Sequence, residues 1–306
     1  MTIAPDGLAL LASGLWGTSD FIGGSLSRRL RTVHVLAGSQ AVAMVLVLAA
    51  TAVAGVGEVT GRWAVWSVAA GVSWGLGMAA FYTALAVGTM GVVAPIASVG
   101  AAVPVAVGLL QGERPGWPAA TGVAAVLLGV ALAAGPDAGG GAGARRRAAV
   151  WLAVLTAALF GVEICCLAQG SRSSVLLTLL GMRVSALACT SLALARLHRP
   201  RVGARLGRHA DVARDRGRHR AAVPRPSGRD LVAVLALGVL DAGATAAYTL
   251  AARGGLVSLV AVLASLYPAV TVLLARRVHA ERLTRTQWAG VAAVLGGAGV
   301  IACSGA

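Results

Sequence analysis

The stretch GVAAVLLGVALAAG at residues 122–135 returns 168 residues later as GVAAVLGGAGVIAC at residues 290–303. Both are unbroken runs of small and branched apolar side chains. Neither shows the period-two alternation of a membrane strand, so each reads as a helix buried in lipid. Working outward, further pairs follow in the same order at offsets of 166–168 residues: Glu113-Arg114 with Glu281-Arg282, Ala97-Ser98 with Ala264-Ser265, Tyr82-Thr83 with Tyr248-Thr249, and Gly61-Arg62 with Gly228-Arg229. Near the start of each half, LASGLWG at 11–17 resembles LTAALFG at 155–161. Alanine-rich sequence produces single matches by chance, but an ordered series of them indicates a duplication. The division is a first five-helix repeat over 1–134, a linker over 135–147 and a second repeat over 148–306.

Ten segments have the ~20 mostly apolar residues that a helix needs to cross ~30 Å of hydrocarbon. They lie at about 8–27, 33–55, 63–86, 90–110, 117–134, 148–169, 174–195, 231–252, 256–275 and 286–303. The expected fold is all-α and polytopic, with ten transmembrane helices. Pro95 and Pro104 interrupt the fourth span, where neighbouring helices must satisfy the freed carbonyls. Five spans per repeat is an odd number, so the second copy enters the membrane upside down. Inverted repeats of this kind are the architecture of secondary transporters, with a site near the midplane.

Composition supports the membrane reading. Of 306 residues, 58% are hydrophobic and only 12% charged, about half the usual ~25%. A water-soluble globule could not cover its surface with so few charges, and a disordered chain would not be so apolar. The net charge of +15 comes from 26 arginines and no lysine. Nucleic-acid binding would need those arginines on one folded basic face. They sit instead between apolar runs, which fits a lipid bilayer with an anionic inner leaflet and no nucleic acid. Cys165, Cys166, Cys189 and Cys303 lie inside apolar stretches without a C-x-x-C partner and read as small buried hydrophobes. No metal or other cofactor is expected.

The leader Met1–Asp6 has no positive charge, while Arg28, Arg29 and Arg31 follow the first apolar run, the reverse of a cleavable signal peptide. If the ten spans alternate, 21 arginines fall on one side and four on the other. The positive-inside rule then makes the odd-numbered loops cytoplasmic and places both termini outside. The basic segment at about 198–229 holds Arg, His, Pro and Gly with little apolar periodicity, and is expected to be disordered beside the membrane. His198, His209 and His219 within it lack the partners of a metal site.

LWGTSDFIGG at 15–24 and SLYPAVTVLLARRVHAERLTRTQWAGVAAVLGGAGVIA at 265–302 resemble the EamA family of the drug/metabolite transporter superfamily. ASVGAAVPVAVGLLQGERPGWPAATGVAAVLLGVALA at 97–133 repeats the same pattern. The resemblance covers nearly the whole chain except the basic segment. It implies a ten-helix carrier of the cytoplasmic membrane with alternating access, usually an exporter of small metabolites, amino acids or drugs. It also implies a cavity lined by the first, third and fourth helices and their later counterparts. Two features depart from the family: its members are usually described with cytoplasmic termini, and Pro115-Gly116 replaces the polar pair after Glu113-Arg114.

Charge at membrane depth costs from ~3 kcal/mol upward, so it should face protein or a water-filled cavity. Four such residues stand out: Asp20, Glu163, Asp241 and Arg183. Asp20 shares a helical stripe with Ser13, Gly17 and Gly24, and Trp16 lies one turn before it. Thr245 and Tyr248 continue the face of Asp241, and Trp74, Met78 and Tyr82 form the corresponding face of the third span. Arg183 has two readings: a permanent buried pair with Glu163 or Asp241, or an attractor for an anionic substrate group. Asp20 and Asp241 are the candidates for proton exchange that couples transport to a proton gradient. Trp16, Trp74, Tyr82 and Tyr248 are candidates to contact the substrate. Trp63, Trp66, Trp117, Trp151 and Trp288, near span ends, read as interfacial anchors. Gly71-x-x-x-Gly75 and Gly108-x-x-x-Gly112 read as small-residue packing stripes. Glu113 and Glu281 read as cap or ion-pair residues.

The expected function is therefore a secondary carrier of a small molecule, not an enzyme; a homodimer is compatible with it. A non-transporting membrane scaffold is the alternative. A membrane-embedded enzyme ranks last, because neither H-E-x-x-H nor a Ser–His pair occurs at membrane depth. A nucleotide-driven pump would need a phosphate loop, and the chain has no lysine to complete one.

Overall fold

In a computed structural model, the described residues are 4–55, 63–112, 114, 116–133, 143–198, 227–279 and 284–304. Residues 199–226 of the basic segment, with His209 and His219, and Glu113, Pro115 and Glu281 therefore lie outside the described residues. All regular elements among the described residues are helical. They are α1 (Pro5–Ser27), α2 (Thr32–Ala54), α3 (Trp63–Val87), α4 (Met90–Ser98), a 3₁₀ turn (Val99–Ala101), α5 (Ala102–Leu110), α6 (Trp117–Ala133), α7 (Gly143–Ser171), α8 (Val175–His198), α9 (Gly228–Gly254), α10 (Val257–Ala264), α11 (Tyr267–His279) and α12 (Arg285–Ser304).

Seven continuous stretches among the described residues are long and apolar enough to cross a membrane. These are α2, α3, α4 with α5, the apolar part of α7, α8, α9, and α10 with α11. The expected first, fifth and tenth spans, α1, α6 and α12, are helices that fall outside this set. In α1 the polar and small residues Thr18, Ser19, Asp20, Gly23 and Gly24 dilute the hydropathy, and α6 has only 17 residues. Large apolar side chains such as Val53, Val65, Leu110 and Val184 point outward. Water would penalise that surface and hydrocarbon does not. Trp117 and Trp151 are among the exposed residues as well, and Trp288 stacks under the Arg276 guanidinium at 4.8 Å from its ring centre.

The fourth span breaks as its prolines foretold. Its two helices, α4 and α5, meet in the 3₁₀ turn at Val99–Ala101. The ninth span breaks too, at Ser265-Leu266 just before Tyr267-Pro268. Irregular backbone at this depth is tolerated only where protein or a cavity covers it. At each break a serine folds back on its own helix: Ser98 Oγ donates to Pro95 O at 2.9 Å, and Ser265 Oγ to Val262 O at 2.7 Å.

Helix packing follows small residues, because in lipid there is no hydrophobic drive between apolar helices. The main partners are α1 with α9, α3 with α7, α3 with α8, α2 with α9, α2 with α8, and α6 with α12. The closest approaches come in corresponding pairs. A Cβ at Gly17 would run into Tyr267 O and Val270, and one at Gly161 into Gly100 O and Val103. Likewise a Cβ at Gly71 would strike Met182 O and Ser185, and one at Gly238 would strike Ser39 O and Val42. The partners in α1 and α2 map onto α7 and α8 at offsets of 144 (17 to 161) and 143 (39 to 182), whereas 100 maps to 267 and 71 to 238 at 167. The offset jumps by about 23 residues between α8 and α9, where the basic segment is inserted.

The second expected packing stripe is corrected. Gly112 has left the helix, with φ of +91° and open space around it. It is a turn residue in a backbone conformation that suits glycine, so the Gly108-x-x-x-Gly112 stripe does not exist as a packing surface.

The ends of the helices collect the arginines. His279 Nε2 pairs with Ser25 Oγ at 2.8 Å and its ring lies 5.3 Å from that of Phe21. Arg29 bridges to Asp230 at 3.1 Å, and Asp230 forms a capping box with Ser227 at the start of α9. Gly88 packs on Ala149 near Arg147. These contacts bring the end of α1, the start of α7, the start of α9 and the end of α11 to one face. On the opposite face Pro5 packs against Gly254 and Gly255.

Candidate functional site

A cavity lies between the two helix breaks. Its wall is formed by Trp16 and Asp20 of α1, Trp74 and Met78 of α3, Phe160, Glu163 and Ile164 of α7, and Asp241 of α9. Residues of the broken spans complete it: Ala97, Ser98, Gly100 and Ala101 from one, Ala264, Ser265 and Tyr267 from the other. The centre of a water-sized sphere can range over about 40 Å³, room for about three waters.

Three of the four charged candidates meet in this wall. Asp20, Glu163 and Asp241 are 5%, 4% and 4% exposed. Asp241 alone has a counter-ion. Arg183 is 0% exposed and does not line the cavity; it lies one layer behind. Its Nη1 donates to Asp241 Oδ2 at 2.7 Å and to Gln40 Oε1 at 3.3 Å. Its Nη2 donates to Thr245 Oγ1 at 2.9 Å and to Asp241 O at 3.5 Å. The guanidinium carbon sits 5.6 Å from the centre of the Trp74 ring. Arg183 is paired with Asp241 rather than with Glu163. Such a pair needs this many hydrogen bonds to offset the loss of hydration.

Asp20 and Glu163 have no such partner. Among the described residues no hydrogen bond or ion pair reaches the Asp20 carboxyl, and Glu163 Oε1 is buried without a hydrogen-bond partner. Tyr267 OH, also in the wall, is buried and unpartnered. The local sequence explains how Asp20 reaches the cavity. Gly17 lets α1 approach the start of α11 at backbone distance, and Thr271 Oγ1 donates to Gly17 O at 3.0 Å. One turn later, Asp20 and Trp16 are held on the same side of α1.

Tyr82 and Tyr248, expected near the substrate, do not line the cavity. Tyr82 is buried against Gly23 and Tyr248 against Trp16, with its OH donating to Ile164 O at 3.3 Å. They support the wall from behind. Sequence reasoning missed Gln40, Phe160, Ser98, Ser265 and Tyr267. Gln40 carried a signal, since it is an amide alone in an apolar span, and the 143-residue offset that relates Ser39 to Met182 relates Gln40 to Arg183. Cys165, Cys166 and Cys189 are free thiols, with Cys166 buried and the other two half-buried. Among the described residues no cluster of three or more His, Cys, Asp or Glu could hold a metal ion.

The bundle of apolar helices, broken twice around an acidic and aromatic cavity, defines a polytopic membrane protein. A sequence model described as the EamA-like transporter family matches residues 147–303. The chain belongs to that family, part of the drug/metabolite transporter superfamily. No curated protein matches it. A solved structure described as "Crystal structure of protein" is similar in fold, with a TM-score of 0.71 at 20% identity over 97% of this chain and 95% of its own.

Proposed function

We propose that the protein is a secondary active transporter that moves a small solute through the cytoplasmic membrane by alternating access, in the export direction that the family resemblance implies. The observation that carries this reading is the composition of the cavity wall. Ala97 and Ala264, Ser98 and Ser265, Gly100 and Tyr267, and Trp74 and Asp241 stand 167 residues apart, and Trp16 and Phe160 stand 144 apart, all in one wall. These are the offsets of the paired helix contacts. On this reading α1 to α6 and α7 to α12 are two inverted five-span repeats, with the pocket on their pseudo-two-fold axis. The paired packing supports it: α1 on α9 answers α7 on α3, and α2 on α9 answers α8 on α3. A pocket shared by two related halves is what rocking of one half against the other requires.

In this reading the arginine-rich face is cytoplasmic and both termini lie outside. Asp20 is the proton-exchanging group, since it lines the cavity without a counter-ion, while Asp241 is held by Arg183. The test is reconstitution of the purified protein into liposomes carrying an internal pH dye, challenged with a panel of small amines, amino acids and sugars. Solute addition is expected to move protons in the wild type. Asp20→Asn is expected to insert and melt normally yet lose at least tenfold of that signal. Full proton movement in Asp20→Asn would refute the coupling role, and a wild type passing no solute would refute the carrier.

A further inference from the structure

We propose that the cavity is selective for a small organic cation, an ammonium or guanidinium with little polar decoration. The inference rests on the carrier reading for its biological meaning but stands on the wall itself. Of the three carboxyl groups in the wall, one is engaged by the only buried arginine among the described residues, which is not itself part of the wall. That arginine is committed on both Nη atoms, to Asp241, Gln40 and Thr245. It has no Nη hydrogen bond to spare for an anionic ligand, and its Nε, though unpartnered, belongs to a side chain outside the cavity wall. Among the described residues no cation is in contact with Asp20 or Glu163, and Glu163 Oε1 is buried and unpartnered in a residue that is only 4% exposed. Glu163 belongs to the cavity wall, so a positive charge or an N–H group of a ligand can compensate an acceptor that no protein donor meets.

The remaining wall matches. Trp16, Trp74, Phe160 and Tyr267 line the same space, and aromatic faces attract cations through their negative quadrupole. Trp74 already accepts the Arg183 guanidinium at 5.6 Å from its ring centre. No lysine exists in the chain, and no arginine is among the described residues that line the cavity, so the wall offers a carboxylate or phosphate only neutral donors such as the Tyr267 hydroxyl and no cationic side chain. Tetramethylammonium and methylguanidinium are compact representatives of this cation chemistry.

The experiment is isothermal titration of the purified full-length protein in detergent with tetramethylammonium, methylguanidinium, the neutral near-isostere tert-butanol and acetate. Both cations are expected to bind at least tenfold tighter than the neutral compound, with no detectable acetate binding. Glu163→Gln and Asp20→Asn should each weaken cation binding at least tenfold, and Asp20→Glu should restore most of it. Phe160→Leu should weaken it severalfold while Phe160→Tyr does not. A thermal melt on each variant identifies any that fail to fold, and the wild-type ligand series alone then decides. Equal affinity for the neutral isostere, or tight acetate binding, would overturn the proposal. Liposome flux separates the two readings. Cation binding without flux would keep the selectivity and sink the carrier; flux of neutral or anionic solutes without cation binding would keep the carrier and sink the selectivity.

Discussion

Removing the arginine behind the cavity should harm the protein more than removing arginine and carboxylate together. Arg183 is 0% exposed and its Nη1 lies 2.7 Å from Asp241 Oδ2. With charge centres about 4 Å apart and an effective dielectric constant near 20, the attraction is about 4 kcal/mol. Breaking a buried pair by deleting one partner costs about 3–5 kcal/mol, chiefly because the survivor is left charged and uncompensated. Arg183→Met keeps much of the volume and leaves Asp241 without its cation, as well as Thr245 and Gln40 without a donor. The cavity gives Asp241 some access to water, so the lower end, about 3 kcal/mol, is expected. Asp241→Asn keeps an acceptor for Nη1 but strands the guanidinium, and should cost a similar amount. The double variant Arg183→Met/Asp241→Asn removes both charges and should fall within about 1 kcal/mol of wild type, giving a coupling of several kcal/mol. The assay is reversible unfolding in mixed lipid–detergent micelles, followed by helical circular dichroism. Additive single effects, agreeing within about 0.5 kcal/mol, would show that the pair contributes no coupling and would refute the argument.

Other perturbations probe the packing and the orientation. Gly17→Ala and Gly161→Ala place a methyl group against Tyr267 O and Gly100 O, and both should lower stability by about 1–3 kcal/mol in the same unfolding assay. Gly14→Ala meets nothing within 4 Å and should be neutral or stabilising by up to about 1 kcal/mol; destabilisation there would contradict the packing described. In a background with Cys165, Cys166, Cys189 and Cys303 replaced, Arg31→Cys should resist an impermeant thiol reagent in intact cells while Gly116→Cys reacts. The reverse labelling would invert the topology.

The sequence made the helices and the depth of their charges legible because membranes impose both strongly. A 20-residue apolar run has few alternatives, and a carboxyl within one must face protein or water. Asp20, Glu163 and Asp241 were therefore singled out, and they do share a wall. The partner of Arg183 was not legible, since the choice between Glu163 and Asp241 depends on how α8 packs against α2 and α9. The interruption of the fourth span followed from Pro95 and Pro104. The break at Ser265-Leu266 has only Pro268 to announce it, a position that would otherwise read as the first turn of a helix. Tyr82 and Tyr248 follow Trp74 and Asp241 on their helices, but Tyr82 packs against Gly23 and Tyr248 against Trp16, outside the cavity wall. Phe160 lies in an apolar run with nothing in its neighbours to mark it, and only the packing makes it line the cavity with Trp74 and Trp16.

Alternating access requires one pocket to serve both sides of the membrane in turn. Ser265 is buried in that pocket, and Ser265→Cys is close to isosteric there. Its reaction with impermeant thiol reagents should be measured from each side of sealed, oriented vesicles, in the cysteine-replaced background. Alternating access predicts labelling from either side, with tetramethylammonium slowing both reactions. Labelling confined to one side, unaltered by any solute, would describe a fixed crevice and contradict the central claim.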